Sequence, residues 1–475
     1  MSGGLERLAS ACIFPGFPGL TPPDWLRREL EGGLGGVVLF SRNVGDRGQL
    51  AALSAALRAE RAEALIGIDE EGGDVTRLEA EDGSSFPGNL ALGAVDDVEL
   101  TERVAAAIGG ELAAAGVNLD LAPVADVNSD ERNPIIGVRS FGSEPALVAR
   151  HTAAFVRGLQ RVGVAACAKH FPGHGATHAD SHLELPTVEV DRETLLEREL
   201  VPFRAAIEAG TQAIMTAHIR VPAIDELPAT ISPAHLTGLL RDELGFDGIV
   251  ITDALEMRAV SATVGVEEGA VLAIAAGADA LCLGHDLFED DVRAVRDALV
   301  GAVAAGRLPE ERLAQAAGRV ERLGRRLLEH RRDPAPSPEV GLEAARRALR
   351  AEGATALVRP ALVVELVPEA TIAAGPSGHR LGALLQARRP GTEAVVVGGP
   401  VELAADGRQL VVVVRDAHRH AWERDVVEGL LADEEDAIVV DVGVPVWRPA
   451  GAAATVVTYG AGRANLEAAA ELLSP

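Results

Sequence analysis

The chain has 475 residues, of which 48% are hydrophobic and 24% charged, so it can build substantial globular cores and is too long for one ordinary domain. Its formal net charge of −27 argues against nucleic acid or an anionic membrane surface as a partner, because either would repel it. The three cysteines, Cys12, Cys167 and Cys282, are too few and too scattered for a disulfide framework or a cysteine-ligated zinc site, and they fit a reducing compartment.

The first residues do not have the features of a secretory signal. LASAC (8–12) faintly resembles a lipoprotein cleavage box, but the preceding MSGGLER contains Glu6 and no apolar run. No stretch of about 20 uninterrupted apolar residues occurs that could cross a membrane. We therefore expect a cytoplasmic protein.

The first two thirds of the chain alternate short apolar segments with segments of helical period, which predicts a parallel α/β domain. The helical segments are 102–115, 146–161, 194–209, 234–244 and 266–276. The eight predicted strands are ACIFPG from Ala11, GVVLF ending at Phe40, LIGID ending at Asp69, VNLDLAP from Val117, VAACAKHF from Val164, AIMTAHI from Ala213, GIVITDAL from Gly248 and ALCLG ending at Gly284. Eight such units predict a (β/α)8 TIM-type barrel. The alternative is an open doubly wound sheet, but no GxGxxG motif follows the first strand.

A second α/β pattern follows the Pro-rich segment RRDPAPSPEVG (331–341) and a helix predicted over 342–352. Its five predicted strands are ALVVELV from Ala361, EAVVVGG from Glu393, QLVVVVRDA from Gln409, AIVVDVG from Ala437 and TVVTYG from Thr455. We predict a barrel over 1–332, a linker and connecting helix over 333–356, and a C-terminal three-layer α/β sandwich over 357–475. The polar cluster at Arg415, Asp416, His418 and His420 is interpreted as a solvated loop.

Charged and polar residues follow five of the predicted barrel strands, where the chemistry of such barrels collects. A charged residue at the end of an apolar strand needs a partner or a ligand, and five such ends indicate one polar pocket. These residues are Asp69, Glu70, Glu71 and then Arg77, Lys169 with His170, His218, Asp253 with Glu256, and His285 with Asp286.

Four of the 12 histidines, His170, His174, His178 and His182, recur every four residues. On a helix this spacing would favour a metal site, but Pro172, Gly173 and Gly175 interrupt any helix there and predict a loop. We therefore expect no metal. Asp180, two residues before His182, can orient that ring and raise its pKa, which makes His182 a candidate general acid and base.

Four motifs together resemble glycoside hydrolase family 3, and within it the bacterial β-N-acetylhexosaminidase branch. They are KHFPGHG with a downstream DSH, IDEEGG with Arg77, NPIIGVRSFG from Asn133 and ITDALEM from Ile251. The resemblance implies that Asp253 is the nucleophile, that His182 acts as acid and then base, and that Asp180 orients His182. It further implies that Asp69, Arg77, Arg139, Lys169 and His170 bind the sugar in the −1 position, with neither metal nor cofactor. A C-terminal sandwich occurs in some members only.

The chemistry is consistent with retaining hydrolysis, which needs a nucleophilic carboxylate and a second group that gives and takes a proton. Histidine titrates near neutrality and can fill the second role after a small shift of its pKa. We expect an exo-β-N-acetylglucosaminidase acting on small saccharides, either peptidoglycan fragments or chito-oligosaccharides. A phosphorylase or β-glucosidase of the same family, a metal-dependent barrel hydrolase and a non-catalytic sugar-binding protein remain alternatives, and the oligomeric state is left open.

Overall fold

The computed structural model describes residues 2–178, 185–286, 288–332, 337–368, 380–401 and 403–475. The chain divides into two compact units. The first comprises Met1–Glu70, Thr101–Asn133 and Ser143–Ser337, and the second comprises Glu71–Leu100, Pro134–Gly142 and Pro338–Pro475. The second unit therefore includes two segments from the N-terminal part of the sequence, whereas the domain boundaries at 332 and 356 remain predictions.

The described residues of the first unit form ten strands, eight of which coincide with the predicted ones. In chain order they are β1 Ile13–Pro15, β2 Gly36–Leu39, β3 Leu65–Ile68, β4 Leu119–Asp120, β5 Ala165–Phe171, β6 Ala213–Thr216, β7 Arg220–Val221, β8 Asp225–Pro228, β9 Ile249–Thr252 and β10 Leu281–Gly284. A parallel sheet runs in the order β2-β3-β4-β5-β6-β9, β1 pairs with β10, and β7 and β8 form a small antiparallel pair. An isolated parallel bridge from Ile251 to Ala280 joins β9 to β10. The result is a curled parallel sheet.

Side chains from one face of the eight parallel strands form the core of this unit. The period of two along a strand selects alternate residues, for example Ala165 and Cys167 of β5 and Ile249 and Ile251 of β9. The amphipathic helix Glu310–Glu329 adds Val320, Leu323 and Leu327 to the same core.

Helices lie between most successive strands of the first unit, as the sequence predicts. They are Ser2–Ala11, Asp24–Glu31, Arg47–Glu60, Val98–Ala114, Pro145–Arg161, Arg192–Thr194, Leu195–Glu199, Val201–Glu208, Ala234–Glu243, Arg258–Ser261, Val266–Ala276, Glu289–Ala304 and Glu310–Glu329. The segment Leu195–Glu199 is π-helical and continues into Val201–Glu208. None of the helices in the described part of the chain has the length and apolar character to cross a bilayer.

The second unit contains a six-stranded sheet of order β11-β16-β15-β14-β12-β13. Its strands are β11 Arg350–Gly353, β12 Ala361–Leu366, β13 Glu393–Val397, β14 Gln409–Val414, β15 Ile438–Asp441 and β16 Ala454–Val457. All neighbours are parallel except β11, which runs antiparallel to β16. Alternate residues of the central strands supply two separate core clusters, one on each face of the sheet.

The helices of the second unit are Asn89–Val95, Glu339–Ala348, Leu381–Arg388, Ala421–Leu431 and Arg463–Leu473. Two details differ from the prediction. The helix expected over 342–352 is Glu339–Ala348, and the next residues form strand β11, which we did not predict. All four residues of β11 (RAEG) are exposed, so the strand lacks the apolar pattern by which buried strands are identified.

Candidate active site

Three predicted site residues continue the rows of side chains that form the core of the first unit. Asp253 lies two positions beyond Ile251 of β9, and Lys169 lies two positions beyond Cys167 of β5, both of which belong to that core. Asp69 immediately follows β3. Because neighbouring strands are parallel, their carboxyl ends meet at one end of the sheet, where the apolar rows give way to charged groups.

Asp69 and Lys169 form a direct ion pair in this unit. Lys169 Nζ lies 2.7 Å from Asp69 Oδ1, and Lys169 is only 2% exposed. A buried ammonium group needs a compensating charge, and Asp69 on the neighbouring part of the sheet provides it. The pair keeps one cation and one anion at the ends of β3 and β5.

The pKa of the buried thiol of Cys167 is affected by several charged groups of this unit. Burial is the largest cause and raises the pKa of Cys167. The charge of Lys169 lowers this pKa, whereas the charges of Asp120, Asp69 and Asp253 raise it. The charges of all four residues therefore reach this buried sulfur, which lies two positions before Lys169 on β5. Asp69 and Lys169 are in direct contact, and Asp253 follows β9 at the same end of the parallel sheet.

Asp253 is half-buried, and its neighbours are held in place by hydrogen bonds. The amide of Ala254 donates to Asp253 Oδ1 at 2.8 Å. The imidazole of His218, which is fully buried, contacts Ala254 O through Nε2 at 2.9 Å and Thr230 Oγ1 through Nδ1 at 2.7 Å. His218 thus supports the backbone next to Asp253.

His170 is oriented by Asp126, a fully buried carboxylate that the sequence analysis did not single out. His170 Nδ1 lies 2.7 Å from Asp126 Oδ2, and the backbone amides of His170 and His174 donate to the same carboxylate at 3.2 and 2.7 Å. Burial alone would raise the pKa of Asp126, but the two histidines and the amide of His174 hold it below its usual value. An anionic Asp126 makes Nδ1 of His170 the protonated nitrogen and leaves Nε2 for a ligand.

The histidine run is not helical in its described part, as Pro172, Gly173 and Gly175 predicted. His174 is buried, its Nδ1 lies 2.9 Å from Thr177 Oγ1, and burial lowers its pKa to about 4. His178 is exposed and lies 4.0 Å from Asp130. Gly175 is required by close packing, because a Cβ there would lie 1.7 Å from Val127 O. Asp180 and His182 lie outside the described residues, so their predicted roles stay predictions.

Glu256 stabilises the loop after β10 through hydrogen bonds to its backbone. Its carboxylate accepts hydrogen bonds from the backbone amides of His285 at 2.7 Å and Asp286 at 2.9 Å. The carboxylate lies so close to Gly284 that a Cβ at this position would meet Glu256 Oε1 at 2.2 Å. Among the described residues, Glu256, His285 and Asp286 form the one group of three potential ligands close enough to share a metal ion.

In the second unit, Arg139 is held by Glu71. The guanidinium donates to both carboxylate oxygens, at 2.8 and 2.9 Å, and to Ile135 O at 3.1 Å. The two side chains are 9% and 2% exposed. Such bidentate pairs fix the plane of the guanidinium. Asn89 Nδ2 donates to Arg139 O at 2.7 Å and so anchors the backbone as well.

The segment 71–100, which carries Glu71 and Arg77, is bound by C-terminal residues of the same unit. Asp74, whose side chain is 4% exposed, pairs with Arg415 and accepts a hydrogen bond from the amide of Ala461 at 2.8 Å. Arg463 pairs with Glu79 at 2.6 Å. Arg415 therefore has a specific buried partner, and the interpretation of its surroundings as a solvated loop was wrong for this residue.

The sequence profile described as "Glycosyl hydrolase family 3 N terminal domain" matches residues 26–323. Beta-hexosaminidase A of Pseudoalteromonas piscicida is 36% identical over 337 residues, which cover 64% of this chain and 56% of that protein. The chain thus spans little more than half the length of this relative.

Two solved structures extend the comparison. The glycoside hydrolase family 3 beta-N-acetylglucosaminidase of Paenibacillus sp. str. FPU-7 is 36% identical with a TM-score of 0.89, covering 99% of this chain and 96% of that one. NagZ from Neisseria gonorrhoeae, in complex with N-trifluoroacetyl-D-glucosamine, is 30% identical with a TM-score of 0.55, covering 66% and 98%. The family profile matches most of the first unit, and the relative and the solved structures resemble the chain in sequence and fold. The charged groups at the strand ends agree with these matches. This chain therefore belongs to glycosyl hydrolase family 3 and is a glycoside hydrolase.

Proposed function

We propose that this chain is a retaining exo-β-N-acetylglucosaminidase that removes terminal GlcNAc from small saccharides. The observation that carries the proposal is the ion pair of Asp69 with the buried Lys169 at the end of the parallel sheet where Asp253 directly follows β9. This arrangement combines a carboxylate suited to attack the anomeric carbon with an ion pair suited to bind sugar hydroxyls. The names of the family relatives, which include a beta-hexosaminidase and a beta-N-acetylglucosaminidase, support GlcNAc as the sugar.

In the proposed reaction Asp253 attacks the anomeric carbon and forms a glycosyl ester while His182 protonates the departing oxygen. His182 then takes a proton from water, which displaces Asp253 and restores the β configuration. Asp180 orients His182, and Asp69, Arg77, Arg139, Lys169 and His170 bind the sugar. We assign the first unit to a closed (β/α)8 barrel and the second to a three-layer α/β sandwich.

The proposal includes a cytoplasmic site of action, with peptidoglycan turnover fragments or chito-oligosaccharides as substrates. It is supported by the three cysteines of the chain, which are buried free thiols. Fractionation of the producing cells, with assay of each fraction, tests the compartment separately from the chemistry.

The decisive experiment follows the hydrolysis of an aryl β-GlcNAc by NMR, with and without inorganic phosphate. We expect β-GlcNAc to form first in both samples, and Asp253→Asn, which removes the nucleophile but keeps the side-chain shape, to abolish turnover. Initial formation of α-GlcNAc would overturn the retaining mechanism. Formation of GlcNAc-1-phosphate would instead identify a phosphorylase, and loss of activity on chelation would favour the metal-dependent alternative.

A further inference from the structure

The second unit contains a cavity of about 310 Å³ beside strands β15, β16 and β11, which we call the C-terminal cavity. The residues that matter for its chemistry are Arg350, Glu352, Asp441, Trp447, Arg448 and Tyr459. Asp441 and Tyr459 lie at or just beyond the carboxyl ends of β15 and β16, the side on which parallel α/β sheets bind ligands. The volume is at the lower end of the range for small-molecule sites, which begins at roughly 300 Å³.

The aromatic residues of the C-terminal cavity are unusual for this chain. The whole sequence contains one tyrosine and three tryptophans, and the tyrosine and one of the tryptophans, Tyr459 and Trp447, both line the cavity. Both side chains are half-buried, whereas aromatic residues that serve only a core are more completely enclosed. Trp447 also packs against the apolar core on one face of the sheet, so only part of its ring, and part of the ring of Tyr459, is left for a molecule in the cavity.

The polar groups of the cavity are suited to hydroxyls. Asp441 Oδ1 accepts a hydrogen bond from the amide of Gly443 at 2.8 Å, while within the described chain its other oxygen accepts none. At the exposed rim, Arg448 Nη1 lies 2.8 Å from Glu352 Oε1. Carboxylate oxygens accept hydrogen bonds from hydroxyl groups, and the guanidinium donates to hydroxyl oxygens.

The charges of the cavity disfavour an anionic ligand. Arg448 is paired with Glu352, and Arg350 donates to the main-chain oxygens of Arg347, Ala348, Leu349 and Ala94. Both guanidinium groups are thus engaged, and Asp441 and Glu352 add carboxylates. The two guanidinium groups are balanced by the carboxyl groups of Glu352 and Asp441, and burial raises the pKa of Asp441 to about 7. Above that pH the lining has no excess of positive charge, so a neutral polar molecule fits better than a phosphate.

We propose that the C-terminal cavity binds one sugar residue of a saccharide, with Trp447 and Tyr459 against the faces of the ring and Asp441 accepting hydrogen bonds from its hydroxyls. That the ligand is a saccharide follows from the combination of aromatic rings with carboxylates in one cavity. The choice of a GlcNAc saccharide as the probe rests on the proposed function. The cavity would give the enzyme a second point of attachment to its substrate or product.

The test is calorimetric titration of chitotriose into the Asp253→Asn variant. This variant keeps both proposed binding sites but cannot hydrolyse the saccharide. We expect two binding events, one of which weakens at least about tenfold when Trp447→Ala is added, since aromatic anchors commonly contribute more than 1.4 kcal/mol. Asp441→Asn gives a second, more conservative variant should Trp447→Ala perturb folding. Trp422→Phe is the matched control, because Trp422 lies outside the cavity lining.

Binding at one site only, or two events unchanged in both cavity variants, would overturn the proposal, as would competition by inorganic phosphate for the second event. The outcome is separable from the proposed function. Trp447→Ala with intact Asp253 should hydrolyse an aryl β-GlcNAc like the unaltered enzyme. A chain that binds chitotriose through Trp447 but does not hydrolyse the aryl substrate would refute the proposed function and leave the cavity site standing.

Discussion

Single carboxylates define the orientation of their neighbours in this enzyme, and Asp126 is the clearest case. It is fully buried, yet it is bound by three donors from the His170–His174 segment. Its anionic form is stabilised by these donors against the effect of burial. Asp126 is therefore a positioning residue that acts through the ring of His170.

We predict that Asp126→Asn lowers kcat/KM for an aryl β-GlcNAc by about 10- to 100-fold, because hydrogen bonds to charged groups contribute roughly 1.5–3 kcal/mol. The amide keeps the shape of the carboxylate but not its charge, so Nδ1 of His170 loses its preferred acceptor. Steady-state kinetics of the folded variant measure the effect, and a change in its pH profile distinguishes a role through His170 from simple destabilisation.

Asp130→Asn is the matched control for this substitution. Asp130 lies four residues later, its side chain is 17% exposed, and its partners are the exposed side chains Arg132 and His178. Pairs of this kind contribute little, so activity should change less than twofold, since about 0.4 kcal/mol corresponds to a factor of two. Equal losses in both variants would refute the specific role of Asp126.

Asp69, Lys169 and Asp253 were named from the sequence because they follow apolar strand segments, and the structure joins the first two in an ion pair. Asp126 was missed because it does not end a strand: it follows LDLAP by several residues, and its importance depends on its proximity to β5. Proximity across a sheet is a property of the folded chain that no local pattern in VADVN records.

At the scale of elements, the C-terminal segment of the second unit supports the segment 71–100. Asp74, two residues after Gly72 and three before Arg77, is buried against Arg415, which immediately follows β14. Removal of one partner of a buried ion pair leaves an uncompensated charge, which costs roughly 3–5 kcal/mol.

We predict that Arg415→Met raises KM for an aryl β-GlcNAc several-fold while kcat changes less, because Arg77 is proposed to bind the sugar rather than to react. The double variant Asp74→Asn with Arg415→Met removes both charges and should recover part of the loss. Arg347→Met is the control, since Arg347 pairs with Asp97 at 2.8 Å on the surface of the same unit and surface pairs contribute at most about 1 kcal/mol. An unchanged KM in a folded Arg415→Met would contradict the supporting role.

The elements that sequence patterns identified were those with a strong apolar period. All eight predicted parallel strands of the first unit are present in the structure. They could be predicted because buried parallel strands require continuous apolar residues. Strand β11 escaped prediction since its four residues are exposed and it is paired by its backbone to β16 alone. The assignment of 71–100 and 134–142 to the second unit could not be foreseen either, because nothing in a loop sequence states which core it joins.

At the scale of the whole molecule, buried titratable groups divide into two classes with opposite effects on stability. Burial lowers the pKa of His174 and of His235 to about 4, so their contribution is present above the usual histidine pKa and is lost as the pH falls through about 4. Burial raises the pKa of Glu199 to about 7 and that of Glu423 to about 8. Their contribution is complete below pH 4.5 and is lost as the pH rises through those values.

Glu423 offers the sharpest test of this balance, because it is fully buried and its Oε2 accepts one hydrogen bond, from the amide of Arg415 at 3.1 Å. We predict that Glu423→Gln, which cannot ionise, removes part of the loss of stability between pH 5 and pH 9, by up to roughly 4 kcal/mol, since the shift acts over nearly three pH units and one unit corresponds to about 1.4 kcal/mol. Thermal midpoints measured by circular dichroism across this range give the comparison. Glu428→Gln, at an exposed position of the same helix, should leave the pH dependence unaltered. Parallel curves for Glu423→Gln and the unaltered protein would show that Glu423 is not held protonated by burial.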